Sequence, residues 1–182
     1  MPMPSSLAPM ALALLLVPLA PAARTALAQS SAAFPTGDAA RPAALTRSDL
    51  RALRWIVGTW RGTGTTVAPF YERYRFSDDS TLVTESFADS TLAVVSETTR
   101  WELRGGRLEN GGEGARWVAV QLTPAGITFA PVRRARNAFT WRPGASKDEW
   151  HADIIFPAAA AGAAPRVVTY RMARVAQRGN RD

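Results

Sequence analysis

Residues 53–64 read Leu53-Arg54-Trp55-Ile56-Val57-Gly58-Thr59-Trp60-Arg61-Gly62-Thr63-Gly64, and this stretch decides the fold. It contains the end of a short amphipathic helix, a glycine that can end that helix, and a strand that carries a tryptophan and two glycines. The sequence after it alternates strands and turns. The sequence before it has the composition of an export signal and a spacer.

The helix is predicted over residues 47–57. Thr46 followed by Asp49 approximates a capping box, with Asp where Glu or Gln is usual. Gly58 suits the left-handed residue that commonly ends a helix. Apolar residues recur at helical spacing on one face, at Leu50, Leu53, Ile56 and Val57.

After Gly58 the pattern changes to a period of two. Trp60, Gly62 and Gly64 share one face of the predicted strand. A glycine inside a strand usually marks a bulge, a bend or the close approach of another group. A helix followed directly by such a strand suits a small closed barrel, because the helix can cover one end and the glycines allow the first strand to curve.

This segment resembles the opening of lipocalin-like (calycin-type) barrels, in which Gly-x-Trp lies near the start of the first strand. It is most similar to nitrobindin-like and related secreted bacterial families of unknown function, which begin Leu-x-x-Leu-x-Gly-x-Trp-x-Gly-x-Gly. The resemblance implies a lipocalin-like fold and little about function. The matching positions here are Leu53, Ile56, Gly58, Trp60, Gly62 and Gly64.

The chain of 182 residues is predicted to hold one folded domain between terminal extensions. Residues 1–28 are predicted to be a signal peptide, with an apolar core at residues 11–17 and an Ala26-Leu27-Ala28 cleavage site. Residues 29–45 are predicted to be a disordered spacer, 46–175 the barrel and 176–182 a flexible tail. We therefore expect an exported, periplasmic or extracellular protein with no integral membrane segment once the signal is removed.

Composition excludes several classes of site. There is no cysteine, so disulfides, thiolate metal sites and cysteine nucleophiles are absent. The net charge is +7, and nearly all the cations are arginines spread along strands and mixed with carboxylates. One short cluster, Arg133 to Arg136, lies in a predicted turn, where a solvated loop is the simpler interpretation. We expect no nucleic-acid partner, while anionic surfaces such as lipid head groups stay open.

Turn signals recur every 8 to 12 residues or so, which is typical of all-β barrels and sandwiches. The fold class predicted is all-β, an antiparallel lipocalin-like barrel of about 8–10 strands preceded by one short N-terminal helix. The strands are predicted at 59–67, 69–77, 80–88, 91–103, 106–109, 116–122, 126–131, 137–142, 149–156 and 165–175.

Alternation along these strands predicts an aromatic interior with a few polar groups, as a small-molecule pocket offers. Three carboxylates share the parity of large apolar neighbours: Glu72, Glu85 and Glu97. A carboxylate buried there needs a cation or hydrogen-bond donors, or stays protonated. A structural Glu–Arg pair, a ligand contact and paired acids for catalysis are all open. The predicted ligand-binding residues are Trp60, Glu72, Tyr74, Glu85 and Trp101.

Catalytic and metal sites are not predicted. His151 is the only histidine, and with Asp153 it makes a weak start for a metal site. The resemblance implies that a nitrobindin-type haem would need a histidine near the last strand, and residues 167–175 contain none. This argues against haem unless His151 or Met172 substitutes, and no cofactor is expected. There is no nucleophile elbow, P-loop or dinucleotide fingerprint.

The sequence thus favours binding of a small apolar or amphipathic ligand over catalysis. An interaction module with a filled barrel and an enzyme using an interior carboxylate are the alternatives. Oligomeric state is not indicated.

Overall fold

The computed structural model describes residues 43–110, 114–160 and 162–176. The predicted signal peptide, most of the predicted spacer and residues 177–182 lie outside the described residues. Within the described ranges, no helix has the length and apolar character needed to cross a bilayer.

The fold is a closed antiparallel barrel of ten strands preceded by one short helix, as predicted. Helix α1 spans Arg47–Ala52 and continues as a 3-10 helix over Leu53–Ile56. The ten strands are β1 Gly58–Thr63, β2 Phe70–Phe76, β3 Thr81–Phe87, β4 Val95–Arg104, β5 Arg107–Asn110, β6 Arg116–Thr123, β7 Gly126–Arg133, β8 Ala138–Pro143, β9 Glu149–Phe156 and β10 Arg166–Arg174.

Each strand pairs with its neighbours in sequence, and β1 pairs with β10 to close the barrel, with Gly62 opposite Met172. Alternate connections therefore lie at opposite ends. The closed end is the end where β1 begins; it carries the turns at 77–80, 105–106, 124–125 and 144–148. The open end carries the connections at 64–69, 88–94 and 134–137, together with the strand ends that the β5–β6 and β9–β10 connections join.

The helix lies across the closed end, where its sequence places an apolar face. Thr46 and Asp49 form the predicted capping box, in which the backbone N–H of each is bonded to the side chain of the other. Leu50, Leu53 and Ile56 are buried in the same core cluster as Trp60. Arg47 reaches Asp79 in the turn between β2 and β3, at 3.1 Å between Nη1 and Oδ2. These contacts seal the end of the barrel.

Residues that precede position 46, the predicted boundary of the barrel, are hydrogen-bonded to the barrel. The backbone N–H of Ala43 donates to the carbonyl of Ala119 at 3.0 Å, and that of Leu45 donates to Gly106 at 2.8 Å. Leu45 is also buried. Residues 43–45, which the sequence assigns to the spacer, thus add to the cover of the closed end.

Gly58 takes a role different from the predicted one. The 3-10 helix ends at Val57 in an extended conformation, and Gly58 is the first residue of β1, with φ of +139°. A Cβ at Gly58 would lie 2.2 Å from Nη1 of Arg174. Glycine is therefore favoured here by the backbone angle, and the Arg174 guanidinium occupies the space that a Cβ would take.

Arg174, the last residue of β10, holds the closed end together. Its guanidinium lies over the Trp60 ring, 4.2 Å from the ring centroid. It donates hydrogen bonds to the carbonyls of Val57 and Lys147 and to the carboxylate of Asp148. One side chain thus connects the residue after the 3-10 helix, the β8–β9 turn and the first strand.

Candidate functional site

Three of the five predicted site residues lie in a packed aromatic cluster in the barrel interior, which extends from Trp60 near the closed end to Phe139 near the start of β8. Trp60 is fully buried and its indole N–H donates to the carbonyl of Ile56 at 2.6 Å. Ring centroids within the cluster are 4.6 to 6.2 Å apart, mostly edge to face, which is the preferred arrangement of aromatic pairs. The cluster comprises Trp60, Tyr74, Trp101, Phe129, Phe139, Trp141 and Trp150.

The packing of these rings limits where a ligand can contact the predicted site residues. The ring centroids of Trp60 and Trp150 are 6.1 Å apart, and those of Trp101 and Phe129 are 4.7 Å apart. At this level the partners of the predicted residues are other side chains of the chain itself. The aromatic cluster therefore forms the floor below any site in the barrel.

The inner wall changes character above this floor, towards the open end. Glu72 on β2 is opposite Ser86 on β3, and Ser86 is opposite Glu97 on β4. Cross-strand neighbours point to the same face of a sheet, so these three side chains form one polar row on three adjacent strands. Because Glu72 is also opposite the inward-facing Trp60, the row faces the interior; Glu72 and Ser86 are partly exposed and Glu97 is exposed.

Hydrogen bonds tie Glu72 to neutral partners only. The Tyr74 hydroxyl donates to Oε2 of Glu72 at 2.6 Å, and the Ser86 hydroxyl donates to Oε1 at the longer distance of 3.5 Å. Among the described residues no arginine, lysine or histidine forms an ion pair with Glu72 or with Glu97. The polar row is thus acidic and carries no cation of its own.

The surroundings raise the pKa of Glu72. Burial is the main cause, and the charge of Glu97 adds to it, while the hydrogen bonds from Tyr74 and Ser86 act in the opposite direction. Burial and the charge of Glu72 also raise the pKa of the Tyr74 phenol well above its ordinary value. Tyr74 therefore stays a hydrogen-bond donor at neutral pH, and the ionised form of Glu72 is costly unless a cation comes near.

A second polar group on the same wall has no partner. Thr84 lies on β3 between Leu82 and Ser86, opposite Tyr74 and Thr99. Its side chain is buried, with a relative exposure of 8 %, and its hydroxyl makes no hydrogen bond within the described part of the chain. Buried hydroxyl groups are usually bonded, but the indole N–H groups of Trp101 and Trp150 in the aromatic cluster are also without a partner in the described part of the chain, so this hydroxyl does not by itself mark a ligand site.

The apolar side of the same space lies around β1. The Phe70 ring covers Gly62, where a Cβ would lie 2.2 Å from the ring, and the Tyr170 ring covers Gly64 in the same way at 2.8 Å. The two rings meet edge to face at 5.5 Å, and both side chains are partly exposed. The two strand glycines predicted from the sequence thus make room for two rings above the floor.

Glu85 does not belong to this space, and its predicted inward parity is wrong. It lies on the outer face of β3, where Arg73 donates to Oε2 at 2.7 Å and Arg75 to Oε1 at 3.1 Å. Burial alone would raise the pKa of this carboxyl, but the hydrogen bonds from Arg73 and Arg75 outweigh burial and lower it. This is the structural Glu–Arg pair that the sequence left open.

The error arises because both faces of β3 are apolar. Val83 and Phe87 share the face of Glu85 and are buried, yet they are on the outside of the barrel. The guanidinium of Arg73 lies 5.1 Å from the centroid of the Phe87 ring. Arginine side chains that lie along a sheet bury apolar neighbours while the charge stays in water, so parity alone could not distinguish the two faces.

His151 is on the outer face of β9. Its Nε2 lies 3.3 Å from Oε1 of Glu149, and Arg171 also pairs with Glu149. Asp153 is held by Arg142 and Thr169 rather than by the histidine. In the described ranges no three His, Asp or Glu side chains are grouped so that they could hold a metal ion.

A groove of about 630 Å³ lies outside the barrel, at the closed end. It runs between the residues that precede α1, the helix itself and the turn between β6 and β7. Its lining includes Leu45, Leu53, Trp55, Leu122 and Pro124. No group with a shifted pKa other than Asp49 lines it, and Asp49 is engaged in the helix cap, so we assign it no function.

No model of a known protein family matches this sequence, and no curated protein is significantly similar to it. The closed antiparallel barrel of ten strands described above is consistent with a lipocalin-like barrel.

Proposed function

We propose that this protein binds a small amphipathic molecule carrying a positively charged group, in the half of the barrel near the open end. The observation that carries the proposal is Glu72. It is a carboxylate on the inner wall, hydrogen-bonded only to neutral groups, in a chain that holds many more cations than anions.

The outer face supplies the contrast. The carboxylates on that face are each paired with arginine, whereas Glu72 has no such partner among the described residues. Those pairs involve Glu85, Glu102, Glu109, Glu149 and Asp153. An unpaired interior carboxylate costs stability, and such costs are typical of binding sites.

The proposed binding mode follows from the geometry of the row. Tyr74 occupies Oε2 of Glu72 at 2.6 Å, whereas Oε1 has only the long contact with Ser86. Oε1 is therefore the atom best placed to accept a hydrogen bond from an ammonium group. Glu97 adds negative charge nearby, and the apolar part of the ligand packs against Phe70 and Tyr170 above the aromatic floor.

A calorimetric titration with three eight-carbon compounds tests this proposal. Octylamine, octanol and octanoate share one apolar chain and differ in the head group. We expect octylamine to bind most tightly and octanoate least. Glu72→Gln should weaken octylamine binding about tenfold or more, because a charge-assisted hydrogen bond becomes a neutral one, and should leave octanol nearly unchanged.

Glu85→Gln is the matched control, since it makes the same chemical change on the outer face of the next strand. It should leave the affinities of all three compounds unchanged. Equal affinity for the amine and the carboxylate, or equal effects of the two substitutions, would refute the proposed role of Glu72.

A filled barrel that acts as an interaction module is the second candidate. The packing of seven aromatic rings in the barrel interior favours it. The two candidates differ in the titration above, because a filled barrel predicts no binding of any of the three compounds.

We also propose that the chain is exported and is related to the nitrobindin-like and secreted bacterial lipocalin-like families. The apolar run at residues 11–17 and the Ala26-Leu27-Ala28 site support export. The helix that leads into Gly58, Trp60, Gly62 and Gly64 supports the relationship. N-terminal sequencing of protein recovered from outside the cytoplasm should give Gln29 as the first residue; an intact Met1 would contradict export.

A further inference from the structure

The large apolar side chains that are exposed all lie at the open end of the barrel. Among the described residues these are five valines, with relative exposures of 37 to 60 %. They come from separate connections or from strand ends next to them, so they surround the opening rather than form one flat patch. The five are Val67, Val94, Val95, Val132 and Val167.

In the described part of this end, the charges are almost all positive. We define the rim as residues 64–69, 88–95, 131–137, 157–160 and 162–167. It contains four arginines, Arg133, Arg134, Arg136 and Arg166, and one acidic residue, Asp89. The carboxylate of Asp89 is engaged by the backbone and hydroxyl of Thr91. All four arginines are exposed.

The closed end has the opposite character. No large apolar side chain is exposed in its described turns. Its charges are mixed and largely paired, as in Arg47 with Asp79, Arg104 with Glu102 and Arg174 with Asp148. The two features of the rim, exposed valines and excess arginines, are therefore a property of one end and not of the whole surface.

We infer that the rim docks onto an anionic lipid bilayer, with the valines at the boundary of the acyl chains and the arginines on lipid phosphates. A bilayer fits better than a folded partner because separate apolar tips on several loops match a deformable surface, whereas protein interfaces need a contiguous complementary patch. Each arginine near an anionic surface adds attraction that salt weakens. Guanidinium groups also bind phosphate oxygens in pairs.

This docking is independent of the proposed ligand site, but the two are compatible. The rim surrounds the end of the barrel at which we place the ligand site. A docked barrel would face the bilayer with that end, which favours direct exchange of an amphipathic molecule between lipid and protein.

The absence of cysteine allows a site-specific test with the full chain. Val94→Cys places a single thiol on the rim, and Ala145→Cys places one in the exposed β8–β9 turn of the closed end. Each is labelled with a polarity-sensitive dye and mixed with vesicles of phosphatidylcholine alone or of equal phosphatidylglycerol and phosphatidylcholine. The N-terminal apolar segment is the same in both variants, so only the face that contacts lipid differs.

We expect the dye at position 94 to brighten and shift to the blue with the anionic vesicles and not with phosphatidylcholine alone. The dye at position 145 should not respond. Adding Arg133→Gln and Arg136→Gln to the Val94→Cys variant should weaken vesicle binding about 10- to 30-fold. Arg51→Gln with Arg104→Gln, which removes equal charge from the closed end, should weaken it much less.

Three results would overturn the inference. The first is no response at position 94 to anionic vesicles. The second is an equal response at positions 94 and 145, which would mean that contact is not confined to the rim. The third is a response at position 94 that rises with protein concentration in the absence of lipid, which would assign the rim to a second copy of the chain.

Discussion

The two halves of this barrel are built from the same alternating strands, but they differ in the side chains that line their interior. Near the closed end, aromatic rings fill the interior and a helix covers them. The guanidinium of Arg174 lies over the Trp60 ring at this end. Near the open end, the inner wall carries Glu72, which has no counter-cation among the described residues. We therefore expect the closed half to contribute most of the stability and the open half to hold the binding group.

The largest expected effect is the loss of the ring at the centre of the closed half. Trp60→Ala should lower the free energy of unfolding by about 3–5 kcal/mol, because it leaves a large cavity in a fully buried site. Urea unfolding followed by circular dichroism measures this. Trp117→Ala, on a half-buried ring of β6 nearer the open end, is the control and should cost clearly less. Equal losses would mean that the two halves do not differ in packing.

The contacts of Arg174 at the closed end predict a smaller loss of stability. Arg174→Lys keeps the charge but cannot reach Val57, Lys147 and Asp148 together. It should lower the free energy of unfolding by about 1–3 kcal/mol. Arg171→Lys is the matched control, because its pair with Glu149 is on the exposed outer face and is worth less than about 1 kcal/mol. A larger loss for Arg171→Lys would contradict the role assigned to Arg174.

Glu85 and Glu72 should affect the pH dependence of stability with opposite signs. The lowered pKa of Glu85 means that its contribution is present above the ordinary pKa of 4.5 and is lost as pH falls through the lowered value. Glu85→Gln should therefore be destabilising at pH 7, by about 1 kcal/mol or less given its half-exposed partners, and closer to neutral in acid.

The raised pKa of Glu72 reverses the sign. The folded protein binds this proton more tightly than the unfolded chain does, so stability falls as pH rises from 4.5 through the raised value. Glu72→Gln should match the wild type below pH 4.5 and be more stable than the wild type at pH 7. Unfolding curves collected from pH 4 to pH 8 measure both variants. A Glu72→Gln variant that is less stable at pH 7 would indicate a structural role.

Much of the fold follows from sequence pattern, because it depends on local signals. The capping box at Thr46, the strand glycines and the turn residues gave all ten strands and the helix, and these predictions are confirmed. The 3-10 conformation of residues 53–56 was not predicted. It lets the chain turn from the helix into β1 within a few residues.

The site was harder to predict because it depends on contacts between distant strands. Glu72 and Tyr74 were placed correctly on the inner wall, but Glu85 was not, since arginines cover the apolar residues beside it. A shift of register between Ala119 and Gln121 also changes which side chains of β6 face inward, and Leu122 packs against the core as a result. Alternation cannot reveal such shifts. The cross-strand partners of Glu72 cannot be identified until the register between β2 and its neighbouring strands is known.

Direct titration of the two carboxyl groups tests the division between binding and structural carboxylates most closely. The side-chain carboxyl carbons of Glu72 and Glu85 can be followed by NMR as pH is varied, with assignment from the Glu→Gln variants. Without ligand, we predict a midpoint above the ordinary glutamate pKa for Glu72 and below it for Glu85. Octylamine should lower the midpoint of Glu72 and leave that of Glu85 unchanged, because only Glu72 gains a cation. An ordinary midpoint for Glu72 that octylamine does not move would contradict the account.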